Sequence, residues 1–378
     1  MNSSSGKIKV LHVIAPILQW GGGDTILLNL VSTKLKNEMD EVALVYDSPK
    51  LKSELEKIGV KYHVLQHKTI PVEKAGKKYE IGRMFFNFFH AGHLRQLIQS
   101  ENYDVVHVHG FSAAWMIFTC HVNMHGMCVY THHAYREKSS KIERLVLTPM
   151  YSWFGQCTAV SETAAESMRK AFPGVTKGFI GVCNSINEAF FKEKQETQHI
   201  SREEGKYYFI QAARLMEGKN HELVIQSVAK LPCEYKEKIR IVFCGGGPKM
   251  GQLRSMAQKL DVEKNILFAG EVKFDEVPEY MDECDFGLFP CKIEGFGLGA
   301  AECMARELPV LALDNELMRE VVGAAGMLVD EDHLTEGMIG LITSGKSLRE
   351  CAKRQAQKYR PMVMKENYYR VYMDLLGK

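Results

Sequence analysis

A glycine-rich turn between two short apolar runs is the feature that most constrains the fold of this chain. The runs CDFGLFP, at 284–290, and LPVLAL, at 308–313, have the length and apolar character of buried strands. Between them, EGFGLG forms the turn and AAECMAR has the composition of a helix. A strand, a turn, a helix and a second strand make a βαβ unit, which predicts a parallel sheet.

The same turn carries two acidic side chains. Glu294 lies on the turn, and Glu302 is expected about one turn into the helix. Glycines let the backbone approach a ligand closely, and the first N–H groups of a helix offer partial positive charge. Two carboxylates in this position could accept hydrogen bonds from the vicinal diols of a sugar and a ribose. The alternative is that Glu302 forms an ordinary surface pair with Arg306, four residues later.

Strand-like and helical patterns alternate along the rest of the chain. This alternation predicts an α/β fold with mainly parallel sheets and helices on both faces. A chain of 378 residues is too long for one core and suits two domains. The expected strands of the first half are KIKVLHVIAPI, EVALVYD, VKYHVLQ, YDVVHVHG, MCVYTHH and the start of TAVSETAAESMRKAF; those of the second half are YYFIQAARL, RIVFCGGGP, NILFAGEV, DFGLFP, PVLAL and GMLVD.

The string EGFGLGAAECMARELPVLA resembles the donor-site signature of the retaining family 4 glycosyltransferases, the glycosyltransferase group 1 family. Gly299 stands where that family more often has proline. GVCNSIN, at 181–187, is similar to the family's Asn-Gly-Ile-Asp hinge, with Ser185 in place of the glycine. The resemblance implies the GT-B architecture, in which two Rossmann-like domains face each other across an interdomain cleft.

Three segments are expected from this architecture. Residues 1–190 would form an acceptor-binding domain, 191–360 a donor-binding domain, and 361–378 a C-terminal helix that crosses back to the first domain. The charged segment KEKQETQHISREEGK, at 192–206, is interpreted as the linker between the domains.

Two cations follow the first expected strand of the second domain. Arg214 lies at the end of the expected strand YYFIQAARL, and Lys219 comes five residues later, before an apolar helix. Cations at the carboxyl end of a strand are well placed to bind a pyrophosphate. The alternative is that Arg214 only pairs with Glu217. The resemblance implies that Arg214 and Lys219 bind the donor diphosphate and stabilise the leaving group in place of a metal ion.

Histidines are frequent, and the resemblance singles out one of them. His133 matches the family histidine that closes a strand of the first domain and faces the transferred sugar. A hydrogen-bonding histidine without a catalytic role is the alternative. His107 and His109 alternate on one strand, but the sequence offers no third ligand for a metal site.

The site residues that the resemblance implies fall into three groups. The expected catalytic residues are His133, Glu294, Arg214 and Lys219, and His109 is expected to contact the acceptor. The expected donor-binding residues are Gly22, Gly23, Arg214, Lys219, Gly245, Val272, Glu294, Gly295, Phe296, Gly297, Leu298 and Glu302. No metal and no cofactor other than the nucleotide sugar, which is a co-substrate, is expected; the Asp-x-Asp string in VDEDH, at 329–333, is interpreted as a surface turn.

Charge and cysteine content bear on the acceptor and the compartment. The first 187 residues have a net charge of +6 and the remainder −4, and a basic first domain suits an anionic acceptor such as a lipid-linked diphosphate sugar. Lys74, Lys77, Lys78 and Arg83 precede the apolar FFNFF segment, which could lie on a bilayer or form a core helix. Ten cysteines without a Cys-x-x-Cys pair predict free thiols.

No apolar stretch reaches the 18 to 20 residues that span a bilayer, and no nucleic-acid-binding pattern is present. We therefore expect a cytoplasmic protein that could also contact the inner face of the membrane.

The sequence thus predicts a retaining, metal-independent hexosyltransferase that uses a nucleotide diphosphate sugar, with a UDP-sugar favoured. The acceptor would be a glycan or a lipid-linked sugar in cell-surface polysaccharide synthesis. A nucleotide-sugar epimerase of the same fold and a noncatalytic nucleotide-sugar sensor are the alternatives. The resemblance implies a same-face, ion-pair-like displacement, because it supplies no nucleophilic carboxylate beside the anomeric carbon.

Overall fold

The computed structural model describes residues 7–14, 22–35, 38–46, 48–65, 94–119, 125–136, 138–292 and 294–378. The chain forms two compact units. The first comprises Met1–Ser185 and Pro361–Lys378, and the second comprises Ile186–Arg360. The segment with Lys74, Lys77, Lys78 and Arg83 and the FFNFF residues lies outside the described residues.

The first unit is built on a seven-stranded sheet in which every described strand pair is parallel. Its strands are β1 (Ile8–Ile14), β2 (Met39–Tyr46), β3 (Lys61–Leu65), β4 (Val105–His109), β5 (Cys128–His132), β6 (Gln156–Ala159) and β7 (Phe179–Gly181). The order across the sheet is β3-β2-β1-β4-β5-β6-β7. The order reverses between β1 and β4, which is the topological switch point where ligands bind in such sheets.

Helices connect these parallel strands. They are α1 (Gly22–Ser32), α2 (Pro49–Lys57), α3 (94–100), α4 (Phe111–Thr119), α5 (Lys141–Trp153) and α6 (Glu162–Ala171). Side-chain caps fix the start of several helices. Ser161 caps α6, and its Oγ accepts a hydrogen bond from the Ala164 N–H at 3.0 Å.

The second unit contains a six-stranded sheet, also parallel throughout its described pairs. Its strands are β8 (Tyr207–Ala212), β9 (Ile239–Cys244), β10 (Ile266–Gly270), β11 (Phe286–Phe289), β12 (Val310–Leu313) and β13 (Gly326–Val329). The order is β10-β9-β8-β11-β12-β13, so the switch point lies between β8 and β11.

Eight helices connect and cover this sheet in the described residues. They are α7 (His221–Ala229), α8 (Cys233–Lys236), α9 (Met250–Lys259), α10 (Val277–Asp282), α11 (Leu298–Ala305), α12 (Glu316–Val321), α13 (Leu334–Ser344) and α14 (Arg349–Ala356). The chain then returns to the first unit with α15 (Pro361–Leu376). There Tyr372 and Tyr368 of α15 bind His107 and Thr131 through hydroxyl contacts of 2.7 and 3.0 Å.

The predicted α/β fold with parallel sheets is confirmed. All six strands expected in the second half are present. The structure adds β7, which the sequence did not reveal because it has only three residues and ends in glycine.

The interpretation of 192–206 as a linker is wrong. These residues belong to the second unit, where the backbone N–H groups of His199 and Ile200 each donate to the Glu283 carboxylate at 2.7 Å. Arg202 also pairs with Asp285 at 2.9 Å. The charged side chains of the segment therefore bind complementary charges on the second unit, so a high density of charge did not indicate a solvated linker.

The glycine turn after β9 exists because two backbone segments approach each other. Gly245 has a φ of +153°, and a Cβ at this position would lie 2.2 Å from the Ala213 carbonyl oxygen. Its N–H donates to the Gly270 carbonyl at 2.8 Å. The glycine is thus required by the contact between the loops that follow β8 and β9, whether or not a ligand is bound.

We expect Gly245→Ala to lower the free energy of unfolding by about 2 kcal/mol or more, because the new methyl group would overlap backbone atoms. The matched control is Gly251→Ala in α9, where an added Cβ has no neighbour within 4 Å. That variant should be neutral or more stable by up to about 1 kcal/mol. Urea unfolding followed by circular dichroism measures both, and equal stabilities would contradict the packing argument.

Candidate functional site

The predicted donor residues of the second unit lie on loops at the carboxyl edge of its sheet and on helix α11, which follows one of these loops. Strands β8 and β11 are hydrogen-bonded neighbours, and they end at Ala212 and Phe289. The loop after β8 carries Arg214 and Lys219, and the loop after β11 carries Glu294. Parallel pairing therefore brings two loops that are far apart in sequence to one switch point.

Two amide side chains hold these loops together. The Gln211 Nε2 group, on β8, donates to the Lys219 carbonyl at 2.7 Å. Asn220 adopts a left-handed conformation at the start of α7, and its Nδ2 group donates to the Pro290 carbonyl at 2.8 Å. The backbone of Lys219 is thereby fixed beside the end of β11.

Lys219 and Glu294 form an ion pair between Nζ and Oε1. Both side chains are partly exposed, so their charged ends remain within reach of a ligand. The structure thus brings together a predicted diphosphate-binding cation and a predicted sugar-binding carboxylate. A phosphate group would compete with Glu294 for the ammonium, and a sugar hydroxyl would compete with Lys219 for the carboxylate.

Arg214 is exposed and follows β8 by two residues. The alternative interpretation predicted an ion pair between Arg214 and Glu217. In the structure the carboxylate of Glu217 contacts the Nζ atom of Lys249. Lys249 also pairs with Glu222 at 2.6 Å. The loop after β8 therefore carries several charged side chains at the same edge of the sheet.

The turn before α11 is built as the glycine pattern predicted. Gly297 has a φ of +92°, and a Cβ there would lie 2.6 Å from the Met318 Cε atom. Phe296 is only 3% exposed, and its ring packs edge-on against Tyr359 with centroids 5.3 Å apart. The Phe296 side chain therefore anchors the turn in the core, which leaves only its backbone for a ligand. Gly299 is the second residue of α11, so this helix begins normally without the proline common in the family.

The carboxyl group of Glu302, on α11, makes no hydrogen bond or ion pair with a residue that the structure describes. The predicted alternative, a pair with Arg306, is wrong. Arg306 binds Asp282 through Nε at 2.8 Å and donates to the carbonyl groups of Phe190 and Lys192. Burial raises the pKa of Glu302 to about 7. An unpaired, partly buried carboxyl group of this kind is typical of a ligand site.

The other expected donor residues occupy several positions. Gly245 follows β9, Val272 follows β10 and is partly exposed, and Gly295 and Leu298 flank the Phe296 turn. Gly22 and Gly23 are the first residues of α1, in the first unit.

Three histidines lie together in the first unit, where the sequence indicated only two. His12 on β1 is in register with His107 on β4, and His109 follows on the same face. The ring nitrogens of the three residues lie within 4.8 Å of one another. His12 was missed because strand pairing, which joins residues 95 positions apart, is not visible in a His-x-His spacing.

Hydrogen bonds account for both ring nitrogens of His12 and His107. His107 Nδ1 lies 2.7 Å from the Tyr372 hydroxyl, and its Nε2 lies 2.7 Å from Thr131 Oγ1. His12 Nε2 lies 3.0 Å from Glu41 Oε1, and its Nδ1 lies 3.3 Å from His109 Nε2. Protein groups thus satisfy both ring nitrogens of His12 and of His107, whereas only Nε2 of His109 has such a partner.

His133 directly follows β5, and its ring centroid lies 5.7 Å from that of His109. Burial lowers the pKa of His133 to about 4 and holds the pKa of His109 well below its usual range. Both rings are therefore neutral at neutral pH. His133 Nε2 and His109 Nδ1 are buried, and neither has a hydrogen-bond partner among the described residues.

VDEDH lies at the end of β13 and continues into a single exposed helical turn, as predicted for a surface turn. Glu331 within it pairs with Lys292 at 2.6 Å. Among the helices of the described ranges, none has both the length and the apolar character that crossing a bilayer requires.

Replacement of Glu302 by Gln should stabilise the protein at high pH. The unfolded chain ionises near pH 4.5, whereas burial keeps the proton in the folded chain to about pH 7. The folded state binds more protons between these values, so wild-type stability falls as pH rises through this interval. Relative to wild type, Glu302→Gln should gain up to about 3 kcal/mol between pH 4 and pH 8.

Urea midpoints over this pH range measure the difference. Glu336→Gln, at an exposed position on α13, is the control and should show no such gain. A constant difference between Glu302→Gln and wild type at all pH values would contradict the desolvation of Glu302.

Comparison with known proteins agrees with this geometry. Residues 20–178 match the family described as Glycosyltransferase Family 4, and residues 192–358 match the family described as Glycosyl transferases group 1. Among curated relatives, a Campylobacter jejuni N-acetylgalactosamine-N,N'-diacetylbacillosaminyl-diphospho-undecaprenol 4-alpha-N-acetylgalactosaminyltransferase is 31% identical over 156 residues. That match covers 40% of this chain and 41% of the relative. The chain spans less than half the length of the first curated relatives it matches.

Solved structures match over nearly the whole chain. A glycosyltransferase from Rickettsia africae has a TM-score of 0.77 at 13% identity, covering 98% of this chain and 99% of its own. Anabaena HepE in complex with UDP has a TM-score of 0.76 at 16% identity, covering 97% and 100%. The two family matches, the two parallel sheets and these structural neighbours lead to one conclusion: the chain belongs to the glycosyltransferase group 1 family, family 4, and has the GT-B fold.

Proposed function

We propose that this chain is a retaining, metal-independent glycosyltransferase that moves a hexose from a nucleotide diphosphate sugar to a glycan or lipid-linked acceptor. The observation that carries the proposal is the group of charged side chains at the carboxyl edge of the second sheet. There a lysine and a carboxylate are fixed side by side, and a partnerless carboxyl group lies on the following helix.

Each charged residue has a role in this proposal. Glu302 accepts hydrogen bonds from the ribose hydroxyls, which lowers the free-energy cost of its buried charge. Lys219 and Arg214 bind the diphosphate and stabilise the negative charge that develops as it departs. When Lys219 binds the phosphates, the carboxylate of Glu294 is no longer paired with it. Glu294 then accepts hydrogen bonds from the transferred sugar.

His133 is assigned to a donor-sugar hydroxyl or to the oxocarbenium-like centre. A neutral imidazole suits this role, because it presents a lone pair toward developing positive charge without adding positive charge of its own. The departing phosphate oxygen would take the proton of the acceptor hydroxyl on the same face of the sugar. This route requires no carboxylate nucleophile.

A UDP-sugar is the favoured donor. Support comes from Anabaena HepE, a structural neighbour that has been solved with UDP and with UDP-glucose. A role in cell-surface polysaccharide synthesis is supported by the relative named as an O-antigen chain mannosyltransferase from Salmonella typhimurium, which is 25% identical over 173 residues.

The acceptor is proposed to be lipid-linked, presented at an anionic membrane surface. Helix α5 supports this proposal because Ile142, Leu145 and Val146 are 75%, 77% and 47% exposed on one face. Exposed basic side chains of Lys138, Lys141 and Arg144 lie beside them. A face that combines apolar side chains with cations fits a bilayer that contains anionic lipids.

Two alternatives make different predictions for turnover. An epimerase would convert UDP-glucose into an isomeric nucleotide sugar without an acceptor, and a sensor would bind the nucleotide without any turnover. Slow hydrolysis of the donor to glucose and UDP favours a transferase, because water then replaces the acceptor.

A double-mutant cycle with a modified ligand tests the ribose assignment. Wild type should bind UDP about 10- to 100-fold more tightly than 2′-deoxy-UDP, because one charge-assisted hydrogen bond is lost. Glu302→Ala should bind UDP more weakly and should no longer distinguish the two nucleotides. Isothermal titration calorimetry measures the four affinities, and a variant that keeps the preference for UDP would show that another group binds the 2′-hydroxyl.

Vesicle flotation tests the membrane surface. We expect Ile142→Glu with Leu145→Glu to reduce binding to phosphatidylglycerol vesicles at least about tenfold, because two apolar side chains are lost and two negative charges are added. Leu260→Glu, at a 38% exposed position in the second unit, is the control and should bind as wild type does. Equal binding by all three proteins would exclude α5 as the membrane-binding face.

A further inference from the structure

A buried chain of polar side chains links helix α15 to the carboxyl edge of the first sheet. Lys365 on α15 contacts the Oε2 atom of Glu41 on β2, and its Nζ also donates to the Leu30 carbonyl at 2.8 Å. The other oxygen of Glu41 lies 3.0 Å from His12 Nε2. His12 Nδ1 in turn lies 3.3 Å from His109 Nε2. Lys365 and His12 are completely buried.

The protonation states of these hydrogen-bonded side chains depend on burial and on the charges of their neighbours. Burial alone would raise the pKa of Glu41, but the hydrogen bond from His12 and the charge of Lys365 together lower it. Burial lowers the pKa of His12 and holds that of His109 well below its usual value, although Glu41 opposes the shift at His12. At neutral pH these residues therefore include a carboxylate and two neutral imidazoles. Burial lowers the pKa of Lys365, but the charge of Glu41 and its hydrogen bond oppose that shift.

These charge states allow only one arrangement of protons. A carboxylate only accepts hydrogen bonds, so the His12 nitrogen that faces Glu41, Nε2, must carry the proton. The Nδ1 atom of neutral His12 then has a lone pair and must accept from His109. His109 therefore carries its proton on Nε2, and its Nδ1 atom is left with a lone pair.

The free lone pair lies where a ligand would approach. His109 is the last residue of β4, at the switch point between β1 and β4. Within the described residues its Nδ1 atom is buried and without a partner, like Nε2 of the neighbouring His133. An unpaired buried acceptor costs about 1 to 3 kcal/mol, which a hydroxyl donor would recover.

We propose that Glu41 and His12 are positioning residues that hold His109 in one tautomer, so that its Nδ1 atom accepts a hydrogen bond from a hydroxyl group of the acceptor. Lys365 completes the device by keeping Glu41 ionised. The hydroxyl-binding part of this inference rests on the proposed glycosyltransferase activity, whereas the tautomer of His109 does not depend on it.

Long-range ¹H–¹⁵N NMR of histidine-labelled protein tests the tautomer directly. The His109 signals are assigned by their loss in His109→Gln. In wild type, Nδ1 of His109 should have the shift of an unprotonated nitrogen and Nε2 that of an N–H group. In His12→Phe the acceptor for Nε2–H is gone, so both nitrogens should shift toward values averaged between the two tautomers.

A second variant covers the case in which His12→Phe does not fold. Glu41→Leu with Lys365→Met replaces the buried ion pair by apolar groups, an exchange that proteins often tolerate. It leaves His12 without its carboxylate and should also mix the tautomers of His109. Thr158→Val is the control. It removes a buried contact of the same unit, in which Thr158 Oγ1 lies 2.6 Å from Thr131 Oγ1, and it changes none of Lys365, Glu41, His12 and His109.

UDP-glucose hydrolysis, with water in place of the acceptor, measures the consequence for activity. We expect kcat to fall about tenfold in His12→Phe and in the double variant, with the affinity for UDP unchanged, and Thr158→Val to match wild type. A wild-type His109 protonated on Nδ1, or the same tautomer and kcat in folded variants, overturns the inference. The predicted tautomer changes without any turnover of UDP-glucose by wild type would instead count against the proposed activity and the hydroxyl-binding role.

Discussion

In both units every described pair of strands is parallel, and this constraint determines where the functional side chains lie. Parallel strands end at the same edge of a sheet, so the loops that follow them meet there even when they are distant in sequence. Lys219 and Glu294, which are 75 residues apart, form an ion pair for this reason. In the first unit the same constraint brings His109 and His133 together. The reversal of strand order at each switch point keeps the neighbouring loops from covering one another.

The sequence predicted the parts of the structure that depend on local patterns. Apolar runs located the strands, and the glycine turn before α11 located Glu294 and Glu302. The parts it could not predict depend on contacts across the fold. Arg306 has the spacing of a helical partner for Glu302, yet it binds Asp282, because a buried guanidinium is better satisfied by a carboxylate and two carbonyl groups than by one surface pair.

The buried hydrogen-bonded residues Lys365, Glu41, His12 and His109 are a second example of contacts that the sequence could not predict. His12 and His109 are 97 residues apart, and Lys365 and Glu41 are 324 residues apart. No spacing rule joins such residues, because their proximity follows from the strand order and from the return of α15. Asn220 is another example. It follows Lys219 directly in the sequence, but its hydrogen bond to the Pro290 carbonyl is visible only in the folded chain.

Two partly buried glutamates show how hydrogen-bond and charge partners determine whether a carboxyl group is ionised. Burial opposes ionisation of both Glu41 and Glu302. Glu41 has a lysine and a histidine within hydrogen-bonding distance, so its pKa is lowered and it is a fixed part of the structure. Glu302 has no such partner in the described residues, and its pKa rises to about 7. The Glu41 carboxylate is thus paired within the protein, whereas the Glu302 carboxyl group keeps its hydrogen-bonding capacity for a ligand.

The return of α15 to the first unit has a consequence for synthesis of the protein on the ribosome. The second unit is continuous, from Ile186 to Arg360, and all of it has been made before α15 emerges. The first unit, although most of it is made first, lacks Lys365 and Tyr372, the α15 partners of Glu41 and His107, until residues 361–376 are available. The first unit therefore cannot be completed until the second unit has been made, which reverses the usual order in which N-terminal domains finish folding first.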